Sequence, residues 1–338
     1  SVNRCGVKGR GETVSVTNQT IMSLQYTKMI LDKLTEMKKM DPAEAENIKQ
    51  LYDKKITSFT NALNKYAFNK KGYYNSVFND DGYWLFSDND PDGEKRVYGP
   101  ANWFSLMSGA AIPDKVDTVL KQLDFLKFET GYRMYWPPMG RKPIPNVGRA
   151  ASGDGLIGLW ENGTVYNQGS HGFLARGLAA AGKGDLLYEV FKYLTPYDQS
   201  KHPVAKTMSP PYAMVNCWQE VPGFLHRGGI PFLTGSISMA LRAIYDWMLG
   251  IKPMLDGLSL DPVLPEEFDK VKTEFKYLGK TVMLKINNPH NAQCGIKSGT
   301  LNGKNISRRV KCPFSQRDML YIEDVKLRRG SNHIELEM

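Results

Sequence analysis

Apolar side chains recur at helical spacing through residues 14–39, at Val16, Ile21, Leu24, Ile30, Leu34 and Met37, and predict a first long helix. Asp41-Pro42 opens a second one, since an acceptor side chain followed by a proline is a helix-start signature. Its predicted inner face is Ile48, Leu51, Tyr52, Ile56, Phe59 and Leu63. "NKKGYYNSVFNDDGYWLF" is aromatic and rich in Gly, Asn and Asp, which predicts a hairpin or loop. "PANWFSLMSGAA" and "PDKVDTVLKQLDFL" predict another helix pair, joined at Pro113. Residues 131–165 are rich in Pro and Gly and carry no period; so long a connection marks a functional loop. Helical spacing returns at 169–181, 185–194 and 235–250.

After "GIKPMLDGLSLDPVLPEEF" the period changes. "KTEFKYLGKTVMLKINN", "CGIKSGTLNGK" and "DMLYIEDVKLRRGSNHIELEM" are short, β-rich and punctuated by Gly and Asn, and predict an antiparallel β-sandwich. The expected fold is mainly α with a β domain: helical hairpins over residues 1–253, then a small sandwich over 254–338. Successive antiparallel helix pairs with long loops imply an α/α toroid. Closing such a barrel takes about six hairpins and roughly three are present, so residues 1–253 read as the C-terminal half of a barrel. Alone, that half would expose a large apolar face. The missing half is therefore expected upstream, on a longer polypeptide.

Charge and cysteine content narrow the function classes. The formal net charge is +9, but Lys and Arg are spread along the chain, and the densest cluster, "NISRRVKC", is too short for a nucleic-acid arm. An anionic small ligand fits the balance better. Aromatics at 11% suit stacking on sugar rings. Cys5, Cys217, Cys294 and Cys312 are far apart and form no CxxC pair, which argues against zinc and against a disulfide framework and fits a reducing compartment. No apolar run reaches transmembrane length. A cytoplasmic protein without nucleic-acid or membrane partners is expected.

Four stretches carry candidate chemistry. "CGVKGRGET" (Cys5–Thr13) is glycine-rich and runs into a helix, where backbone N–H groups bind anions. It lacks the GxxxxGK[ST] pattern and a preceding strand, so a tight turn is the stronger reading. "FSDNDPDGE" spaces Asp88, Asp90, Asp92 and Gly93 like the start of a calcium loop, but Gly99 stands where the closing Glu belongs; an Asp/Asn turn and no metal are expected. In "HRGGIPFLTGSISMALRAIYDW", Thr234, Gly235 and Ser236 open a helix. Hydroxyls beside unpaired backbone donors suit a phosphate, and a plain N-cap explains them equally well. "WENGTVYNQGSHGF" crowds Glu161, Tyr166, Asn167, Gln168, Ser170 and His171 at the next helix start. Glu161 suits sugar hydroxyls or a base role. A lone histidine there is more often structural, but two such loops together make an anion site.

These residues resemble a known family. "WENGTVYNQGSHGFLARGLAAAGKGD" and "RGGIPFLTGSISMALRAIYDWMLGIKPMLDGLSLDPVLP" look like glycoside hydrolase family 94, the inverting β-glucoside phosphorylases, with "GPANWFSLMSGAA" and "NRCGVKGRGETV" matching further family segments. The resemblance covers nearly the whole chain, as the C-terminal portion of a longer enzyme. It implies an (α/α)6 catalytic barrel and a small C-terminal β domain. It also implies phosphorolysis to α-D-glucose 1-phosphate and a shortened oligosaccharide, with no cofactor and inorganic phosphate as co-substrate. An inverting hydrolase needs a second carboxylate to activate water; a phosphorylase has a phosphate pocket instead.

Residue by residue, the family's general-acid Asp lies in a "WND" motif that falls just before Ser1. No catalytic residue is then expected within this chain, and activity requires the N-terminal part of the same enzyme. The family's phosphate-binding His stands seven residues after the Glu of "ENG", which from Glu161 reaches Gln168, with His171 three residues later. Gln168, His171, Thr234, Gly235 and Ser236 are therefore the expected phosphate ligands. Glu161 matches a sugar-binding Glu, and Arg4 lies near the expected Asp. Tyr166, Trp218 and Gln219 are sugar contacts on chemistry alone. The usual disaccharide-phosphorylase pattern after "ENG" is missing, which favours β-linked gluco-oligosaccharides, β-1,2-linked ones first. The competing readings are an inverting hydrolase or transglycosylase with Glu161 or Glu220 as base, and a non-catalytic carbohydrate-binding fragment. A homodimer is compatible with all of them.

Overall fold

A computed structural model of the chain describes residues 4–148, 157–195, 207–210, 213–221, 223, 225–231 and 234–338. Residues 149–156 of the predicted 131–165 loop, and Phe232-Leu233 of "IPFLTGS", lie outside the described residues. The chain forms two compact units, Ser1–Gly177 with Val190–Ala240, and Leu178–Glu189 with Leu241–Met338.

In the first unit, helices Val14–Glu36 and Pro42–Ala62 form where the pattern predicts them. Thr13 Oγ1 accepts the Val16 N–H at 3.1 Å and Asp41 Oδ1 accepts from Ala43 and Glu44 at 2.9 and 3.0 Å, satisfying donors that a helix start leaves over. The buried stripe of the first helix is nevertheless rotated from the expected one. It consists of Val14, Asn18, Ile21, Met22 and Leu31, while Val16, Ile30 and Met37 are exposed. The reason is a polar contact. Asn18 is fully buried, donates to Ser105 Oγ at 3.0 Å and accepts from Ser108 Oγ at 2.6 Å. This ties the helix to Gly99–Ser108, a ten-residue helix with every residue buried. A sequon on Asn18 therefore has no room for a glycan.

This unit is not made of helical hairpins alone. Short antiparallel strands pair Glu12–Thr13 with Val77–Phe78, Val77–Phe78 with Trp84–Leu85, Val97–Tyr98 with Tyr135–Trp136, and Lys127–Phe128 with Gly131–Tyr132. The predicted aromatic hairpin is the pair Val77–Phe78 and Trp84–Leu85. The predicted structureless region is thus partly strand. No helix among the described residues is long and apolar enough to cross a membrane.

The second unit holds two sheets. One has four strands, ordered Ile251–Pro253, Gly257–Leu260, Asp318–Glu323 and Arg309–Lys311. The other has five, ordered Lys270–Tyr277, Lys280–Asn287, Ser331–Glu337, Ser298–Leu301 and Lys304–Asn305. Leu258, Leu260, Leu320 and Ile322 from the first share one apolar core with Val282, Leu284, Ile286, Ile334 and Leu336 from the second. The expected all-antiparallel arrangement needs one correction. Ser331–Glu337 inserts beside Lys280–Asn287 in parallel, Thr281 opposite Ser331. Period-two alternation is the same for either direction, so the sequence pattern carries no sign of it.

The alternation makes a sharp test of register. Leu284 is 2% exposed and its neighbour Met283 is 43% exposed. Leu284→Ala is expected to cost about 2–5 kcal/mol of unfolding free energy, and Met283→Ala less than about 1 kcal/mol, read by denaturant titration.

Candidate functional site

Three short strands carry the polar stretch singled out in the sequence. Val165–Tyr166 pairs antiparallel with Cys217–Gln219, which pairs antiparallel with Arg227–Gly229. Val165 stands opposite Trp218, and Tyr166 opposite Cys217. Opposed residues share a face and neighbours alternate. Tyr166, Cys217 and Gln219 therefore leave one face; Val165 and Trp218 leave the other, and Glu220 continues the Trp218 side. Gly229 backs the first face, with room for no β-carbon between Cys217 Sγ and the Gln219 amide.

Glu161 belongs to the Tyr166 face. Burial raises the proton affinities of Tyr98, Tyr166 and Cys217, and the charge of Glu161 adds to the effect in each case. Together they push the Cys217 thiol up to about 11. The turn bearing Glu161 is anchored by its neighbour Asn162. That side chain accepts from Tyr135 OH at 2.6 Å and from the Met139 N–H at 2.8 Å, and donates to Met139 O at 2.9 Å.

A hydrogen-bonded chain runs from Tyr166 to the second candidate loop. Asn216 Nδ2 donates to Tyr166 OH at 2.9 Å, and Asn216 Oδ1 accepts from Thr234 Oγ1 at 3.1 Å. Thr234 Oγ1 in turn meets Ser236 Oγ at 2.7 Å and accepts the Ser236 N–H at 3.1 Å. Gln168 completes the arrangement. It opens a π-helical turn, Gln168–Gly172, a local irregularity that is frequent at functional sites. Its amide lies over Gly235, where a β-carbon would stand 2.7 Å from Oε1 and 3.1 Å from Nε2. Gln168, Tyr166, Thr234, Gly235 and Ser236 are thus brought together. Asn216, which no pattern in the sequence singles out, is the link between them.

His171 has a different place. It is fully buried, its Nε2 accepts the Tyr132 N–H at 3.0 Å, and its Nδ1 lies 2.9 Å from Asn167 Oδ1. A nitrogen that accepts from a backbone amide carries no proton, so the ring is neutral with its hydrogen on Nδ1, donated to Asn167. The ring stacks on Tyr193 at 5.8 Å, and a β-carbon on Gly131 would collide with it. Both nitrogens are spent inside the fold. Trp218 is 2% exposed and packs with Val165 and Val215 on the reverse face, not with Tyr166. Arg4 is exposed and bonds through its backbone, donating to Val147 O at 3.0 Å.

With this geometry in hand, the likeness to known proteins is informative. Residues 2–250 match the model of the glycosyl hydrolase 94 superfamily catalytic domain. The chain belongs to this superfamily. It is similar to a solabiose phosphorylase of Paenibacillus borealis, 27% identical over 91% of this chain and 38% of the relative. A cellobionic acid phosphorylase of Neurospora crassa is 23% identical over 88% of this chain and 36% of the relative. An N,N'-diacetylchitobiose phosphorylase of Vibrio proteolyticus is 25% identical over 69% of this chain and 30% of the relative. The chain therefore spans less than two-fifths of the length of these relatives. A solved sialidase shares the fold, with a TM-score of 0.54 at 11% identity over 93% of this chain and 27% of the other.

Two other candidate ion sites in this glycosyl hydrolase 94 chain are filled by the protein itself. The glycine-rich loop wraps Asp80, whose carboxylate accepts the N–H groups of Lys8 at 2.6 Å, Arg10 at 2.8 Å and Gly11 at 3.0 Å. Those bonds, that of Lys8 foremost, hold Asp80 below the usual carboxylate range. In "FSDNDPDGE" the fully buried Arg96 occupies the centre. It donates to Asp90 at 2.9 Å and to Asp92 at 2.8 and 2.6 Å. No group of three metal-ligating side chains occurs among the described residues.

On the reverse face, Glu220 Oε2 accepts from Arg133 Nε at 3.0 Å and Nη2 at 2.8 Å. Burial pushes the Glu220 carboxyl up to about 7, against the opposing pull of Arg133. Between the ordinary carboxylate value and 7, the unfolded chain has lost this proton and the folded one keeps it, so stability falls as pH rises and the loss is complete above about 7. Glu220→Gln removes this slope. From pH 4 to pH 8 the wild type is expected to lose about 3 kcal/mol relative to the variant, measured by urea unfolding at each pH. Parallel stability curves would contradict the assignment.

Proposed function

We propose that this chain supplies the sugar- and phosphate-binding wall of an inverting glycoside phosphorylase. Its substrates are β-linked gluco-oligosaccharides, β-1,2-linked ones first, and its products are α-D-glucose 1-phosphate and a shortened oligosaccharide. The observation that carries this reading is the meeting of Gln168 with the Thr234–Gly235–Ser236 turn. An amide donor, two hydroxyls and a helix start together suit a phosphate. Gln168 stands where the family's histidine is expected, and His171 serves the fold. Phosphate is then held by neutral donors at this point, without an imidazolium.

In this reading phosphate oxygen attacks the anomeric carbon from the face opposite the leaving sugar. The glycosidic oxygen leaves with a proton from an Asp supplied by the N-terminal part of the same polypeptide, which also completes an (α/α)6 barrel. Glu161, amid Tyr98, Tyr135 and Tyr166, binds sugar hydroxyls, with Gln219 beside it and Arg4 nearby. Inversion by water would need a second carboxylate poised as base. Glu220 is a poor one: its side chain is 6% exposed, clamped by Arg133 and on the reverse face. That argues against Glu220 as the base of a hydrolase. Free cysteines throughout suit a cytoplasmic enzyme.

The test uses the polypeptide that joins this chain to its N-terminal part. Sophoro-, cello- and laminari-oligosaccharides are supplied with and without phosphate, and glucose and glucose 1-phosphate are measured. Phosphate-dependent glucose 1-phosphate is expected; glucose release without phosphate would reject the reading. Gln168→Ala is expected to raise the KM for phosphate about 10–100-fold, the loss of one hydrogen bond to a charged group. His171→Ala should instead lower thermal stability.

A further inference from the structure

The turn that presents Glu161 is held in an uncommon conformation. Gly158, Trp160 and Gly163 have φ of +75°, +53° and +77°, and the tryptophan adopts this region only at a cost. Its internal bonds are few. Gly158 N–H donates to Asn162 O, Asn162 N–H to Leu159 O and Gly163 N–H to Glu161 O, each at 3.0 Å. Such a conformation persists only where its surroundings impose it.

The Asn162 side chain, bonded to Tyr135 and Met139, holds one side of the turn, and Glu220 holds the other. Its N–H donates to Gly158 O at 2.9 Å. A β-carbon on Gly158 would stand 3.0 Å from the Glu220 carbonyl, so the two backbones are in direct contact. The Glu220 carboxylate reaches to Arg133, and the next residue, Met134, donates its N–H to Thr164 O at 2.8 Å. One side chain thus spans the two segments that flank the turn. Arg133 is itself immobilised, its guanidinium carbon 3.7 Å from the Phe128 ring centroid and 4.0 Å from that of Trp136. Between two aromatic faces, a guanidinium offers donors only in its own plane, and there Glu220 accepts two of them. The side chains are 10% and 6% exposed. The other ionisable groups at this place among the described residues are Glu129, which Glu220 senses, and His226, whose Nε2 lies 3.1 Å from Glu129 and whose ring stacks on Phe128.

We infer that Glu220 is a positioning residue: gripping Arg133 from behind the sheet, it sets the turn that presents Glu161 and so governs sugar binding without touching sugar. The sugar part rests on the proposed role of Glu161; the positioning part does not.

Two measurements on the polypeptide that joins this chain to its N-terminal part test it: calorimetric titration with a β-1,2-linked gluco-oligosaccharide and with inorganic phosphate, and amide hydrogen exchange. Glu220→Ala is expected to weaken oligosaccharide binding at least about tenfold and to deprotect Gly158, Asn162 and Gly163, with phosphate affinity unchanged. Glu220→Gln keeps an acceptor for Arg133 and should restore both. Arg133→Met keeps buried volume and leaves a neutral Glu220 carboxyl; it should behave as Glu220→Ala does and serves if that variant fails to fold. Unchanged sugar binding and protection in Glu220→Ala would overturn the inference, as would equal loss of sugar and phosphate binding. If the wild type binds phosphate but no oligosaccharide, the sugar role of Glu161 fails. Protection of the three amides then decides the positioning claim alone.

Discussion

Side-chain alternation across one small sheet is the constraint on which the site depends. The pairing of Val165–Tyr166 with Cys217–Gln219 sorts a crowded run of polar residues onto two faces. A register slip of one residue would exchange them, turning Trp218 toward the Glu161 side and burying Tyr166. From one face, Tyr166 leads through Asn216 to Thr234 in a hydrogen-bonded line that ends beside Gln168 and Gly235. On the other, Trp218 fills the core and Glu220 grips Arg133. The groups proposed to bind ligand and those that support them are thus separated by the thickness of a sheet.

The polar groups of this chain divide by the same logic. A buried charge is tolerated when it is paired and hydrogen-bonded, and several of the groups that look functional in sequence are such pairs. Asp80 closes the glycine-rich loop, Arg96 gathers Asp90 and Asp92, and Arg317 joins Asp261 in the second unit at 3.1 and 2.9 Å. Glu161 and Gln168 differ from them. Neither side chain makes a hydrogen bond or ion pair to another described residue, although both sit at the sheet and its adjoining turn. Polar side chains left over at such a place suit a ligand.

Much of this was legible in the sequence, for identifiable reasons. The start of the second helix was, because Asp41 acts on residues within one turn of itself. The β character of the second unit was, since its segments are short and punctuated by Gly and Asn. The fate of His171 was not, because it depends on Tyr132 and Gly131, some forty residues away in the chain. The rotated face of the first helix was hidden for a similar reason: Asn18 looks solvent-seeking until Ser105 and Ser108 are brought to it. The parallel course of the last strand leaves no trace in its alternation. Local chemistry reads directly; partners supplied by distant segments do not.

In the function proposed for this chain, Gln168 and the Thr234–Gly235–Ser236 turn form one anion site, and His171 serves the fold. The most direct test is a crystal of the polypeptide that joins this chain to its N-terminal part, soaked in phosphate. Density for the anion within hydrogen-bonding distance of the Gln168 amide and of Thr234 or Ser236, with the His171 ring still bonded to Tyr132 and Asn167, is the result this account predicts. Phosphate bound at His171, or at the 5–11 loop in place of Asp80, would contradict it.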